Sequence, residues 1–177
     1  MICVFVLSLA EFLLIQEKNS VENKLEEWLR NAEKVVIAGI GNPIRKDDFV
    51  GVRVIQKLRG KTSEKVLLLE CETVPESFLP TIVDFDPTQV LLIDAAILGL
   101  TPGEMRLIVQ DQLADFPATS THMLPLRIFC DYLTATTKSK IALLLIEPEN
   151  VEFGEGLTPE LEKVAEKIAE VISRLLS

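Results

Sequence analysis

The sequence predicts an α/β fold, a doubly wound, mostly parallel sheet of about five strands with helices on both faces. Two observations carry this expectation. Three short runs, residues 34–40, 89–95 (QVLLIDA) and 140–146 (KIALLLI), are apolar almost throughout, as strands covered on both faces are. Between them lie stretches whose apolar residues recur at helical spacing, so strand and helix alternate as they do in a parallel sheet with crossover helices.

Residues 20–32 open the domain as an amphipathic helix, with Ser20 placed to cap it and Leu25, Trp28, Leu29 and Ala32 at helical spacing. Residues 34–40 form the first strand and run into a glycine-containing loop. Residues 47–58 put Val50, Val54, Ile55 and Leu58 on one helical face. The pair Asp47-Asp48 then stands in the first turn, where water-exposed acids commonly complement the helix dipole. The unit recurs as a strand over 65–69, a short helix over 76–85 and the strand 89–95. Thr101-Pro102-Gly103 makes a turn into an edge strand over 104–109. A helix over 123–134 precedes the last core strand, 140–146. Residues 158–176 close the chain as a long helix, with Thr158 as N-cap, Pro159 first inside and Glu160 and Glu162 in the opening turns.

A chain of 177 residues, 48% of them hydrophobic, suits one compact core. We assign that single domain to residues 20–177 and set residues 1–19 apart as an apolar N-terminal extension. Its first 15 residues carry one charge, Glu11. The run is shorter than the roughly 20 residues a membrane-spanning helix needs. It also lacks a basic leading region and a small-residue cleavage site. A packing helix, or translation from an upstream start codon, accounts for it better than a membrane span. The net charge of −9, with Lys and Arg dispersed, argues against nucleic acid and anionic membrane as partners. Cys3, Cys71 and Cys130 are odd in number and far apart, which suggests neither a disulfide framework nor a zinc knuckle and fits a reducing cytoplasm.

In open α/β sheets ligands bind beyond the carboxyl ends of the strands. Three polar groups are expected at that rim: Gly39-Ile40-Gly41-Asn42 with Asp47-Asp48 and Gly51, then Asp94, then Ser120-Thr121-His122. The glycine pair lacks the third glycine of a dinucleotide fingerprint, Ile44 standing there, and no Walker lysine follows. A tight strand-to-loop turn explains it. Asp94 sits between Val90-Leu91-Leu92-Ile93 and Ala95-Ala96, where an ionised carboxylate needs a partner or a cation. His122 is the chain's single histidine, which removes HExxH and three-histidine zinc schemes. Two carboxylates and one imidazole make an incomplete shell for a borderline divalent ion, leaving positions open to ligands from a substrate. A Ser-His-Asp triad using Ser120 or Thr121 is less favoured, since residues one and two before a histidine seldom aim at it and no GxSxG elbow is present.

These motifs, in this order, resemble those of the endopeptidases that mature nickel-iron hydrogenases, closest to the type serving formate-linked, energy-converting enzymes. The matching segments are Gly39-Ile40-Gly41-Asn42 with Asp47-Asp48 and Gly51, Leu91-Leu92-Ile93-Asp94-Ala95, Leu100-Thr101-Pro102-Gly103-Glu104 and Ser120-Thr121-His122-Met123-Leu124-Pro125-Leu126. The resemblance implies that Asp48, Asp94 and His122 are the catalytic, metal-contacting set, and that Gly41, Asn42, Asp47 and Thr121 line the substrate path. It implies removal of a C-terminal extension from a nickel-loaded hydrogenase large-subunit precursor. Nickel carried by the substrate would be the metal read, or another divalent ion at the same site. Arg45, Lys46, Phe49 and the Cys71-Glu72 pair depart from the family pattern, the last standing after the second strand where glycines are common. A nickel-binding or chaperone-like module that docks on the precursor without cutting it has the same ligands and is the competing expectation.

Overall fold

The computed structural model describes residues 20–113 and 123–177. The N-terminal extension and the segment carrying Ser120, Thr121 and His122 lie outside the described residues. The elements in chain order are α1 (Val21–Leu29), β1 (Val35–Ile40), a 3-10 turn (Lys46–Phe49), α2 (Val50–Leu58), β2 (Val66–Glu72), a second 3-10 turn (Pro75–Phe78) and α3 (Leu79–Phe85). Then follow β3 (Gln89–Ala95), β4 (Met105–Val109), α4 (Gln110–Leu113), α5 (Met123–Thr137), β5 (Lys140–Ile146) and α6 (Pro159–Leu176).

The sheet order is β2-β1-β3-β5-β4. Neighbours are parallel except at the edge, where β4 runs antiparallel to β5. Strand alternation sorts the apolar runs onto two cores. Val35, Ile37, Leu91, Ile93, Ala142 and Leu144 face α1, α2 and α6 in one, while Val36, Ala38, Val90, Leu92, Ile141 and Leu143 face α3 and α5 in the other. Both faces being covered is the reason these runs are apolar at successive positions. The doubly wound fold, its strand count and its edge strand are as the sequence predicts.

Local departures have physical causes. The first helix after β1 begins as a 3-10 turn, so Asp47 and Asp48 precede α2 proper. The Cys71-Glu72 pair belongs to β2 and does not follow it. Register shifts there between Gly39 and Ile40, and Glu72 takes a left-handed φ of 49° that favours glycine. Ser20 caps α1 by accepting from Asn23 N at 3.2 Å, whereas the Thr158 hydroxyl makes no bond to its own helix.

The chain leaves β1 for β2 on one side and returns to place β3 on β1's other side. The carboxyl ends of β1 and β3 therefore form the topological switch point, the position at which open α/β sheets bind ligands.

Candidate active site

Asp48 lies in the turn that follows β1, and Asp94 is the penultimate residue of β3. Three glycines let the Asp48 turn settle on the strand ends. A Cβ on Gly51 would fall 2.1 Å from Ile93 O and 2.4 Å from Ile40 O. One on Gly39 would fall 2.3 Å from Gly51 O, and one on Gly41 1.9 Å from Asp48 O. No side chain fits at these distances, so the start of α2 rests directly on the β1 and β3 backbones. The glycine motif is thus a packing device that delivers Asp48 to the switch point.

Each acid is oriented by a backbone N–H. Asp48 Oδ2 accepts from Asn42 N at 3.0 Å, and Asp94 Oδ1 accepts from Ala95 N at 2.9 Å. Both side chains are half-buried. Although Asp94 keeps some contact with solvent, crowding by protein atoms and then the nearby Asp48 charge push its carboxyl up to about 7, against a smaller lowering by the Ala95 N–H. Asp94 therefore titrates near neutrality. The two acids are electrostatically coupled across the switch point, as the sequence suggests for one rim. His122 and Thr121, expected beside them, lie outside the described residues. Among the described residues no three His, Cys, Asp or Glu side chains gather into a metal-holding group.

Asp47 differs from its neighbour. It is fully buried, where the sequence suggests either a water-exposed dipole partner or a substrate contact. Oδ1 accepts from Thr158 N at 2.7 Å, while Oδ2 accepts from Asn150 N at 2.8 Å, Glu149 N at 3.1 Å and the Thr158 hydroxyl at 3.1 Å. These bonds make its role structural, since they gather the loop between β5 and α6 against the Asp48 turn. Asn42 N donates to Asp48 Oδ2, and Gly41 packs against the Asp48 carbonyl while its own N–H donates to Glu72 O at 2.9 Å.

Glu147, directly after β5, escaped the sequence reading. It is buried, and Oε2 accepts from Leu98 N at 2.6 Å and Leu100 N at 3.1 Å. Its backbone pairs with Gly103 N and Glu104 O at 2.9 Å each, so it anchors the loop leaving Asp94 and its Thr101-Pro102-Gly103 turn. The signal was present, an acid at the carboxyl end of an apolar run, as at Asp94. Cys71 and Cys130 are buried, and burial, reinforced by Glu76 and Asp131 respectively, pushes each thiol up to about 12. Neither is a thiolate at neutral pH, so neither is a ready nucleophile.

Comparison with known proteins bears on the fold and the family. The family model described as hydrogenase maturation protease (HycI) matches residues 52–175, a span that holds Asp94 and His122 and begins just past Asp48. The crystal structure of the NiFe hydrogenase maturation protease HycI from Thermococcus kodakarensis KOD1 superposes with a TM-score of 0.80 at 35% identity, covering 86% of this chain and 98% of that one. The Hydrogenase 3 maturation protease of Escherichia coli K12 is 28% identical over 133 residues, 75% of this chain and 85% of its own length. The solution structure of the endopeptidase HycI from Escherichia coli gives a TM-score of 0.68 at 27% identity, covering 77% of this chain and 87% of that one.

Proposed function

The chain belongs to the hydrogenase maturation protease family, hydrolases that act on peptide bonds, and from that premise we propose that it removes the C-terminal extension of a nickel-iron hydrogenase large-subunit precursor once nickel is in place. In this reading Asp48, Asp94 and His122 contact the nickel carried by the substrate. The observation that carries it is the meeting of Asp48 and Asp94 at the β1/β3 switch point, on a turn seated by glycines that tolerate no Cβ.

Two carboxylates and an imidazole leave a tetrahedral site one ligand short and offer no thiolate to grip a borderline-soft ion tightly. An ion already anchored in the precursor needs no such tight hold. It presents its open positions to Asp48, Asp94 and His122 at high local concentration, so a weak ligand set becomes a selective reader. A carboxyl titrating near neutrality must give up its proton to bind a cation, so engagement by Asp94 is coupled to proton release. The same property suits a group that takes a proton from attacking water.

The deciding experiment incubates chelator-stripped enzyme with apo and nickel-loaded precursor and follows the large-subunit mass. Loss of a C-terminal peptide from the loaded form alone is expected. Equal cutting of both forms refutes nickel reading, and binding without any mass change favours the docking module. Asp48→Asn, Asp94→Asn and His122→Ala should each abolish processing in folded protein. Wild-type processing by any of these variants rejects that residue's assignment.

A further inference from the structure

The two acids at the switch point are aimed in different ways. Asp48 accepts from Asn42 N, six residues away, on a turn whose seat the glycines fix. Asp94 accepts at 2.9 Å from the N–H of its own successor, Ala95. The direction of its carboxylate therefore follows the tilt of the Ala95 peptide, and that tilt depends on how the chain continues past β3. Ala95 still pairs with Ile146, and Ala96 N donates to Ile146 O at 2.9 Å. Beyond Ala96 the chain runs to β4 without helix or strand, so its inward amides need acceptors from elsewhere.

One residue supplies them. Glu147 Oε2 takes both Leu98 N and Leu100 N, its carbonyl takes Gly103 N, and its own N–H donates to Glu104 O. The alternation that turns Leu143 and Leu145 toward the α3 and α5 core, carried one step past β5, turns Glu147 the same way. Val90 and Leu92 face that core from β3, and Asp94 follows them in the same alternation. Glu147 thus stands on the Asp94 side of the sheet, one strand over and two residues beyond Leu145, the register partner of Asp94. Its side chain is 7% exposed and its bonds go to backbone groups. Burying a carboxylate is costly even when amides satisfy it, and side chains held in so unfavourable a setting concentrate at functional sites.

We infer that Glu147 is a positioning residue for the reaction: by gathering Leu98 N and Leu100 N on one oxygen it fixes the loop that leaves Asp94, and with it the aim of the Asp94 carboxylate. The role is one of reach and not of charge, since a single oxygen with two lone pairs serves both amides. The inference rests on the endopeptidase reading and adds a residue that acts through Asp94. The test is steady-state processing of nickel-loaded precursor by wild type, Glu147→Gln, Glu147→Asp and Glu147→Ala, well below every Tm. Glutamine keeps an oxygen at the same reach without the charge, whereas aspartate keeps the charge and draws the oxygen back by one methylene. Glu147→Asp and Glu147→Ala should lose about 10–100-fold in kcat/KM, with kcat carrying most of the loss, and Glu147→Gln should stay within about threefold of wild type. Hydrogen exchange should show the Leu98 and Leu100 amides protected in wild type and Glu147→Gln and unprotected in Glu147→Ala. Should Glu147→Ala fail to fold, the aspartate and glutamine variants decide. Wild-type kcat in Glu147→Asp overturns the inference, and so does a Glu147→Gln as impaired as Glu147→Asp, which would make the charge the working feature. If wild type binds the precursor and leaves it uncut, the endopeptidase reading fails separately. Glu147 is then judged on Kd, and equal Kd for wild type and Glu147→Asp overturns its role.

Discussion

Replacing Asp47 by asparagine should cost the fold far more than the same change at Asp48. The Asp47 carboxylate is fully buried and accepts four hydrogen bonds, three from backbone N–H groups and one from a hydroxyl. At best the introduced amide keeps its oxygen where Oδ2 stood and turns its NH2 toward Thr158 N. The 2.7 Å bond from Thr158 N is then lost and two donors confront each other. A hydrogen bond to a charged group contributes about 1.5–3 kcal/mol, and a neutral one about 1 kcal/mol. One lost bond plus three weakened ones therefore totals about 3–5 kcal/mol. That is a large share of a native stability of about 5–15 kcal/mol. At about 2–4 °C per kcal/mol for a domain of this size, the Tm should drop by roughly 6–20 °C.

Asp48, half-buried and accepting a bond from Asn42 N at 3.0 Å, should shift Tm by only about 3 °C when changed to asparagine. Calorimetry on both variants measures the difference, and processing assays well below either Tm separate stability from chemistry. Asp47→Asn should then keep part of its activity while Asp48→Asn has none. A Tm loss under about 3 °C for Asp47→Asn would refute the account of the clamp.

Stability should fall as pH rises across the range set by Asp94. An unfolded aspartate titrates near about 3.9. The folded Asp94 carboxyl sits at about 7, so between these values the native state holds a proton that the unfolded chain has released. Asp94→Asn, which removes this penalty, should stabilise the protein by about 2 kcal/mol at pH 8, allowing for partial solvent screening, and by nothing at pH 4, while abolishing processing. Urea midpoints at the two pH values measure this, and an equal shift at both rejects the burial argument. Gly51→Ala, which drives a Cβ against Ile93 O and Ile40 O, should lower stability by about 2–3 kcal/mol and reduce processing through displacement of Asp48. A wild-type urea midpoint with full processing would show that α2 does not rest on the strand ends.

The sequence by itself determined the sheet. Residues 89–95 and 140–146 are apolar at successive positions because both sheet faces are covered, and that pattern needs no partner information to read. It also determined which acids to inspect, since Asp94 ends an apolar strand and Asp48 follows a strand-to-loop glycine motif. What only the tertiary structure decided is how neighbours differ. Asp47 and Asp48 are adjacent and chemically alike, yet one is sealed among the amides of a loop about 100 residues further along the chain and the other opens on the switch point. Glu147 depends likewise on contacts distant in sequence, with the loop that leaves β3. Hydrophobic periodicity is local and survives in one dimension. The satisfaction of a buried carboxylate is set by whichever backbone amides the fold brings to it, and no spacing in the chain records that.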